Sequence, residues 1–282
     1  VTATADATPP RVGHIEFLNC LPIYWGLQTT NALSSIDLVA DTPDRLSDAL
    51  VARDLDIGPI SLVEALKHAD DLVVLPDLAV GSDGEVLSVC IVSTRPLAEL
   101  GSATVALGST SRTSVLLARL LLEQQLGLSP QYIDRAPDLD AMLAEADAAV
   151  LIGDAALRAT LIDGPARSLH VTDLGAAWRA WTGLPMVFAV WAARRDYLAA
   201  HPERVESVAR AFHESVQAAN TYPSEVARAA VDQAGLTLAD AERYYKALDF
   251  RLGQRQRDGI VAFTEAVAQL LGWQRIPELT YL

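Results

Sequence analysis

Five hydroxyl-bearing residues crowd one turn of this sequence, Gly108-Ser109-Thr110-Ser111-Arg112-Thr113-Ser114, between a β-forming run and a long apolar-periodic helix. Free N–H groups at a helix start, the positive end of its dipole and nearby hydroxyls suit an anion, above all a carboxylate, with Arg112 assisting. The plainer use of Ser and Thr at such a place is N-capping, and the residues alone leave both uses open. Three further places carry polar groups where strands end. Asn19, in Phe17-Leu18-Asn19-Cys20-Leu21-Pro22, either aims its amide into a cleft or caps a helix. Ser88 is a lone hydroxyl inside the apolar run Val86–Val89, bonded to backbone or turned to a ligand. Gly153-Asp154 follows the apolar run 148–152, at a strand's C-terminal end, where open α/β sheets bind ligands; capping the next helix is the alternative.

Other chemistries lack their signatures. The five histidines, His14, His68, His170, His201 and His213, show no HxxxH spacing. There is no GxGxxG, GxxxxGK[ST] or GxSxG. We therefore expect neither a metal nor an organic cofactor. With 22 Lys+Arg against 36 Asp+Glu the net charge is 22 − 36 = −14, and phosphate binding needs clustered cations. No nucleic-acid or membrane partner is expected. Two cysteines, Cys20 and Cys90, form no CxxC pair and fit a reducing compartment. The N-terminal Val1–Arg11 has no basic segment followed by an apolar one. The longest apolar run, near Leu184–Ala193, is far short of the roughly 20 residues of a membrane span. The expectation is a cytoplasmic protein.

The elements that must position these residues alternate in α/β fashion. Strands are expected at Val12–Phe17, Asp37–Ala40, Leu55–Gly58, Val73–Pro76, Val86–Ser93, Thr104–Leu107, Tyr132–Asp134, Ala149–Ile152, Leu169–Thr172 and Met186–Ala193. Helices fall between them, at Leu21–Gln28, Pro43–Arg53 and Leu62–His68 (with Ser61 as N-cap), and from the hydroxyl-rich turn to about Leu126. From Pro202 onward the pattern is helical, broken near Tyr222–Pro223, Gly235 and Gly253. Two α/β blocks follow: a flexible tail at 1–10, a discontinuous first lobe at 11–93 plus 194–282, and a second lobe at 94–193. The chain is expected to cross between them along the strands near 86–93 and 186–193. Two lobes joined in this way enclose a cleft, a favoured seat for small ligands.

Taken in order, Phe17–Pro22, Ser82-Asp83-Gly84-Glu85-Val86-Leu87-Ser88-Val89, Ser111–Ser114, Leu151-Ile152-Gly153-Asp154-Ala155-Ala156-Leu157 and Asp173-Leu174-Gly175…Trp178…Thr182-Gly183-Leu184-Pro185 resemble the chorismate dehydratases of the futalosine route to menaquinone. The resemblance runs from about Arg11 to Ala193 and more loosely beyond. It implies a two-lobed type II periplasmic-binding-protein-like fold and loss of water from chorismate to give 3-[(1-carboxyvinyl)oxy]benzoate. It further implies that Asn19 and Ser88 are the catalytic positions. Ser109, Thr110, Ser111, Arg112, Thr113, Gly153 and Asp154 would bind substrate, and Cys20 would be inert. Two other readings share the outline: a transporter's solute-binding component, and 1,4-dihydroxy-6-naphthoate synthase, whose family is thought to use a cleft histidine. The second lobe as expected offers that role only His170. A ligand-sensing domain would need a DNA-binding segment, and none accompanies it.

Overall fold

The computed structural model describes residues 8–110 and 112–282. Of the expected tail, residues 1–7 lie outside this set. Its last residues are held rather than loose: the Thr8 carbonyl accepts from Arg204 (2.6 Å) and the Pro10 carbonyl from the Asp37 N–H (2.9 Å).

The chain opens with β1 (Arg11–Ile15), α1 (Leu21–Thr29), β2 (Asp37–Asp41), α2 (Pro43–Val51), β3 (Ile57–Ser61), α3 (Leu62–Lys67) and β4 (Leu72–Ser82). It then crosses to β5 (Val89–Ser93), β6 (Thr104–Gly108), α4 (Thr113–Arg119), β7 (Gln131–Arg135), α5 (Leu139–Glu145), β8 (Ala148–Ile152), α6 (Gly153–Arg158), α7 (Gly164–Arg167), β9 (His170–Asp173) and α8 (Leu174–Thr182). It returns as β10 (Met186–Arg194), followed by α9 (Arg195–Ala200), α10 (Pro202–Thr221), α11 (Pro223–Ala234), α12 (Leu238–Ala247) and α13 (Gln254–Leu271).

Two five-stranded sheets result, ordered β2-β1-β3-β10-β4 and β7-β6-β8-β5-β9. In each, four strands run parallel and one, β10 or β5, arriving from the other half, lies antiparallel between its neighbours. This corrects the expected lobe boundaries. β5 belongs to the second sheet and β10 to the first, so the crossings are the short segments 83–88 and 183–185 ahead of them, not the strands themselves. The reason lies in the residues: Val89-Cys90-Ile91-Val92-Ser93 is buried at every position, and a backbone buried on both faces must find its hydrogen bonds inside a sheet. Polar, glycine-containing connections can bridge open space; such a strand cannot. The edge strands β2 and β7 are largely open to solvent and carry Asp37, Asp41, Asp134 and Arg135, which discourages edge-to-edge pairing.

The C-terminal helices pack mainly on the first sheet. Gly26 of α1 meets Ser215 of α10 so closely that a Cβ would lie 2.5 Å from the Ser215 Cα, which leaves glycine as the residue that fits there. At the head of β1, Asp56 accepts from the Arg11 backbone N–H and from two guanidinium nitrogens of Arg11 at 2.9–3.2 Å, with Arg194 at 3.4 Å. Burial raises the Asp56 pKa, but the hydrogen bonds and charge of Arg11 outweigh it and leave the value below ordinary. A lowered folded pKa contributes stability that is present above the unfolded carboxylate's pKa and lost as pH falls through the folded one. Asp56→Asn should therefore flatten the fall of Tm below about pH 4. A variant curve that parallels the parent's in acid would contradict this.

Candidate functional site

A mostly apolar cavity lies between the lobes at the carboxyl ends of the parallel strands β1, β3, β6 and β8. Phe17, Ile60, Val80 and Phe188 wall it from the first lobe, and Val89 and Ile152 from the second. Three polar side-chain atoms on this wall, Asn19 Oδ1, Asp44 Oδ1 and Ser61 Oγ, are buried with no hydrogen-bond partner among the described residues. Buried polar atoms are nearly always paired, so three orphans converging on one cavity mark a ligand site.

Asn19 sits in the short turn after β1, and that turn is pinned from several sides. Asp154 of α6 accepts from the Leu18 N–H (3.0 Å), the Tyr245 hydroxyl of α12 donates to the Leu18 carbonyl (3.1 Å), and the Cys20 N–H returns to the Phe17 carbonyl (2.9 Å). Ser88 closes the first crossing and is buried. Its N–H donates to the Val86 carbonyl (2.7 Å), and its carbonyl accepts from Gly153 (2.8 Å). The residue between, Leu87, has φ +62°, a left-handed conformation costly for a leucine. Asp173, at the start of α8, holds it there by accepting from Val86 (3.0 and 3.2 Å) and Leu87 (2.7 Å). The expected strand from Val86 thus begins only at Val89, because its first residues form this tight turn.

The cavity brings together Asn19, Ser88, Thr110, Arg112 and Gly153, with Ser114 beside them. Gly153 has φ +61°, and a Cβ there would meet the Phe17 ring at 2.7 Å, so glycine lets the lobes approach. Other expected site residues stand elsewhere. Ser109 is exposed, off the cavity wall, with its N–H on the Arg135 carbonyl. Thr113 is buried, and its hydroxyl accepts from Val63 of the opposite lobe (3.1 Å). Asp154 faces a separate groove with Glu16 and Leu18; burial raises its pKa against the Leu18 N–H. Ser111 lies outside the described residues. Sequence reasoning missed Asp44, which falls inside the helix expected at Pro43–Arg53, and Ser61, read as a cap.

Arg112 reaches across the cleft to Asp48 (2.7 Å) and Glu64 (3.4 Å). Burial lowers its pKa, but Asp48, Glu64 and Asp44 overcome that and keep it above ordinary. Its charge thus bridges the lobes on the cavity wall, where Thr110 and Ser114 stand with it. Cys20 and Cys90 are fully buried, the first thiol pushed far up and the second to about 12, so neither is a nucleophile. No described histidine lines the cavity. His170 is exposed on β9, and burial lowers His14 to about 3. No described helix is long and apolar enough to cross a membrane.

Residues 10–269 match a family described as menaquinone biosynthesis. A chorismate dehydratase from Thermus thermophilus is 31% identical over 271 residues, covering 92% of this chain and 95% of that protein. Among solved structures, a protein from Archaeoglobus fulgidus superposes with a TM-score of 0.77 at 21% identity, covering 95% of this chain and 99% of that one. The alkanesulfonate-binding protein SsuA of Xanthomonas axonopodis pv. citri, bound to MOPS, does so with a TM-score of 0.70 at 17% identity, covering 97% and 96%. These structures show the fold: two α/β lobes of the periplasmic-binding-protein type around a cleft.

Proposed function

The chain belongs to the menaquinone biosynthesis family, and from that premise we propose that it is a chorismate dehydratase, a hydro-lyase that converts chorismate to 3-[(1-carboxyvinyl)oxy]benzoate and water. The observation that carries this reading is that Asn19 and Ser88, far apart in sequence, reach one mostly apolar cavity.

Chorismate carries a ring carboxylate, an enolpyruvyl carboxylate, and a hydroxyl next to the ether-bearing carbon. Loss of the proton at the ether carbon sends charge through the ring diene into the ring carboxylate. Expulsion of the neighbouring hydroxyl then leaves an aromatic ring. Thr110 and Ser114, at the hydroxyl-rich turn, supply donors where that charge develops. Asn19 and Ser88 are neutral and are poor bases on their own. The substrate's enolpyruvyl carboxylate takes the proton and passes it to the departing hydroxyl, with Asn19 and Ser88 orienting that carboxylate. Water-poor apolar walls strengthen each of these hydrogen bonds. The absence of histidine from the described cavity wall supports this reading over the naphthoate synthase.

Incubation of the protein with chorismate, followed by liquid chromatography and mass spectrometry, tests it. The expected product has lost one water, is aromatic and retains the enolpyruvyl group. Unchanged chorismate that protects the protein against heat would make it a binding protein instead. Neither conversion nor protection would remove chorismate as the ligand.

A further inference from the structure

Ser61 ends β3 at the N-cap position of α3, where a serine hydroxyl ordinarily accepts from the N–H two or three residues on. Here it does not. The Val63 N–H is taken by Thr113 Oγ1 from the opposite lobe, and the Ser61 hydroxyl is left buried and unpartnered on the cavity wall. Asp44 shares that wall. Ser47 of α2 accepts from the Ser61 N–H (3.3 Å), and Asp44 lies one helical turn before Ser47, on the same face. One carboxylate oxygen of Asp44 is likewise buried without a partner.

An acceptor-only carboxylate beside a neutral hydroxyl matches an alcohol, which donates one hydrogen bond and accepts another. We propose that Asp44 and Ser61 form the subsite for the substrate's hydroxyl, the group that leaves as water. Asp44 accepts a hydrogen bond from its O–H. Ser61 donates a hydrogen bond to the oxygen as it departs with the C–O electron pair and takes up the proton carried by the enolpyruvyl carboxyl. This assignment rests on the dehydratase reading.

The dehydrated product keeps both carboxylates but lacks the alcohol, so chorismate and product together isolate the subsite. Ser61→Ala and Asp44→Ala should each lower kcat/KM for chorismate about ten-fold, while the inhibition constant of the product changes by less than about two-fold. Ser61→Cys, which keeps the shape of the side chain but donates only weakly, should reproduce the selective loss, and it serves if either alanine variant fails to fold. A product inhibition constant that rises in step with the loss on chorismate overturns the subsite, as does parental kinetics in all three variants. A parent protein that neither dehydrates chorismate nor binds the product would instead bring down the dehydratase reading, and the subsite with it.

Discussion

Asn19→Ala should slow dehydration of chorismate by a factor on the order of 10² to 10³ while leaving Tm close to the parent's. The two halves of that expectation have separate causes. The Asn19 amide oxygen makes no hydrogen bond among the described residues, so its removal breaks no hydrogen bond described as supporting the fold. The turn around it is held by Asp154, Tyr245 and Phe17 through the backbone of Leu18 and Cys20, and those bonds survive the substitution. What is lost is a preorganised polar group in an apolar cavity, worth far more there than in water. Asn19→Asp keeps the shape but places a further negative charge beside a dianion, so its loss should include a raised KM. Single-turnover rates read by mass spectrometry, with thermal melts alongside, check both variants. Full turnover by either would end the role assigned to Asn19.

Asp173→Ala should destabilise the protein by about 3 kcal/mol and also depress turnover, although Asp173 does not line the cavity. Its carboxylate accepts from Val86, Leu87 and Ala176. Removing it strands three N–H groups and releases Leu87 from φ +62°, and Ser88 shifts with its neighbour. Asp173→Asn is only a partial substitute, because one end of the amide would be a donor facing donors. Burial raises the Asp173 pKa against the opposing N–H bonds. Its titration therefore favours the folded state most below the ordinary carboxylate pKa, and that contribution is lost as pH rises through the folded value. A variant with parental Tm and parental kcat would show that the first crossing holds its shape without this anchor.

Much of the fold is readable along the chain, because local pattern and local structure share a cause. Ten β-forming runs appear as ten strands, and the helix starts at Pro43, Leu62 and Pro202 agree with the expected positions. Where reading failed, the deciding contacts were distant ones. Nothing within Val86–Ser88 announces a tight turn, because the carboxylate that stabilises it comes from Asp173. Ser61 reads as an ordinary cap until Thr113 arrives from the other lobe to take the Val63 N–H that a cap would accept. Arg112 reads as a group of the hydroxyl-rich turn, and only the fold brings Asp48 and Glu64 to it across the cleft.

By itself, then, the sequence determined the α/β class, the ordered motifs that mark the family, and the polar residues at strand ends. Each of those is written in neighbouring positions, through periodicity, capping residues and short spacings. Only the tertiary structure decided which sheet owns β5 and β10, and which of the marked residues reach the cavity. It alone revealed that Asp44 Oδ1 and Ser61 Oγ stand there with no hydrogen-bond partner among the described residues. Burial, pairing across the cleft and the absence of a partner are properties of atoms brought together from both lobes, and no local pattern encodes them.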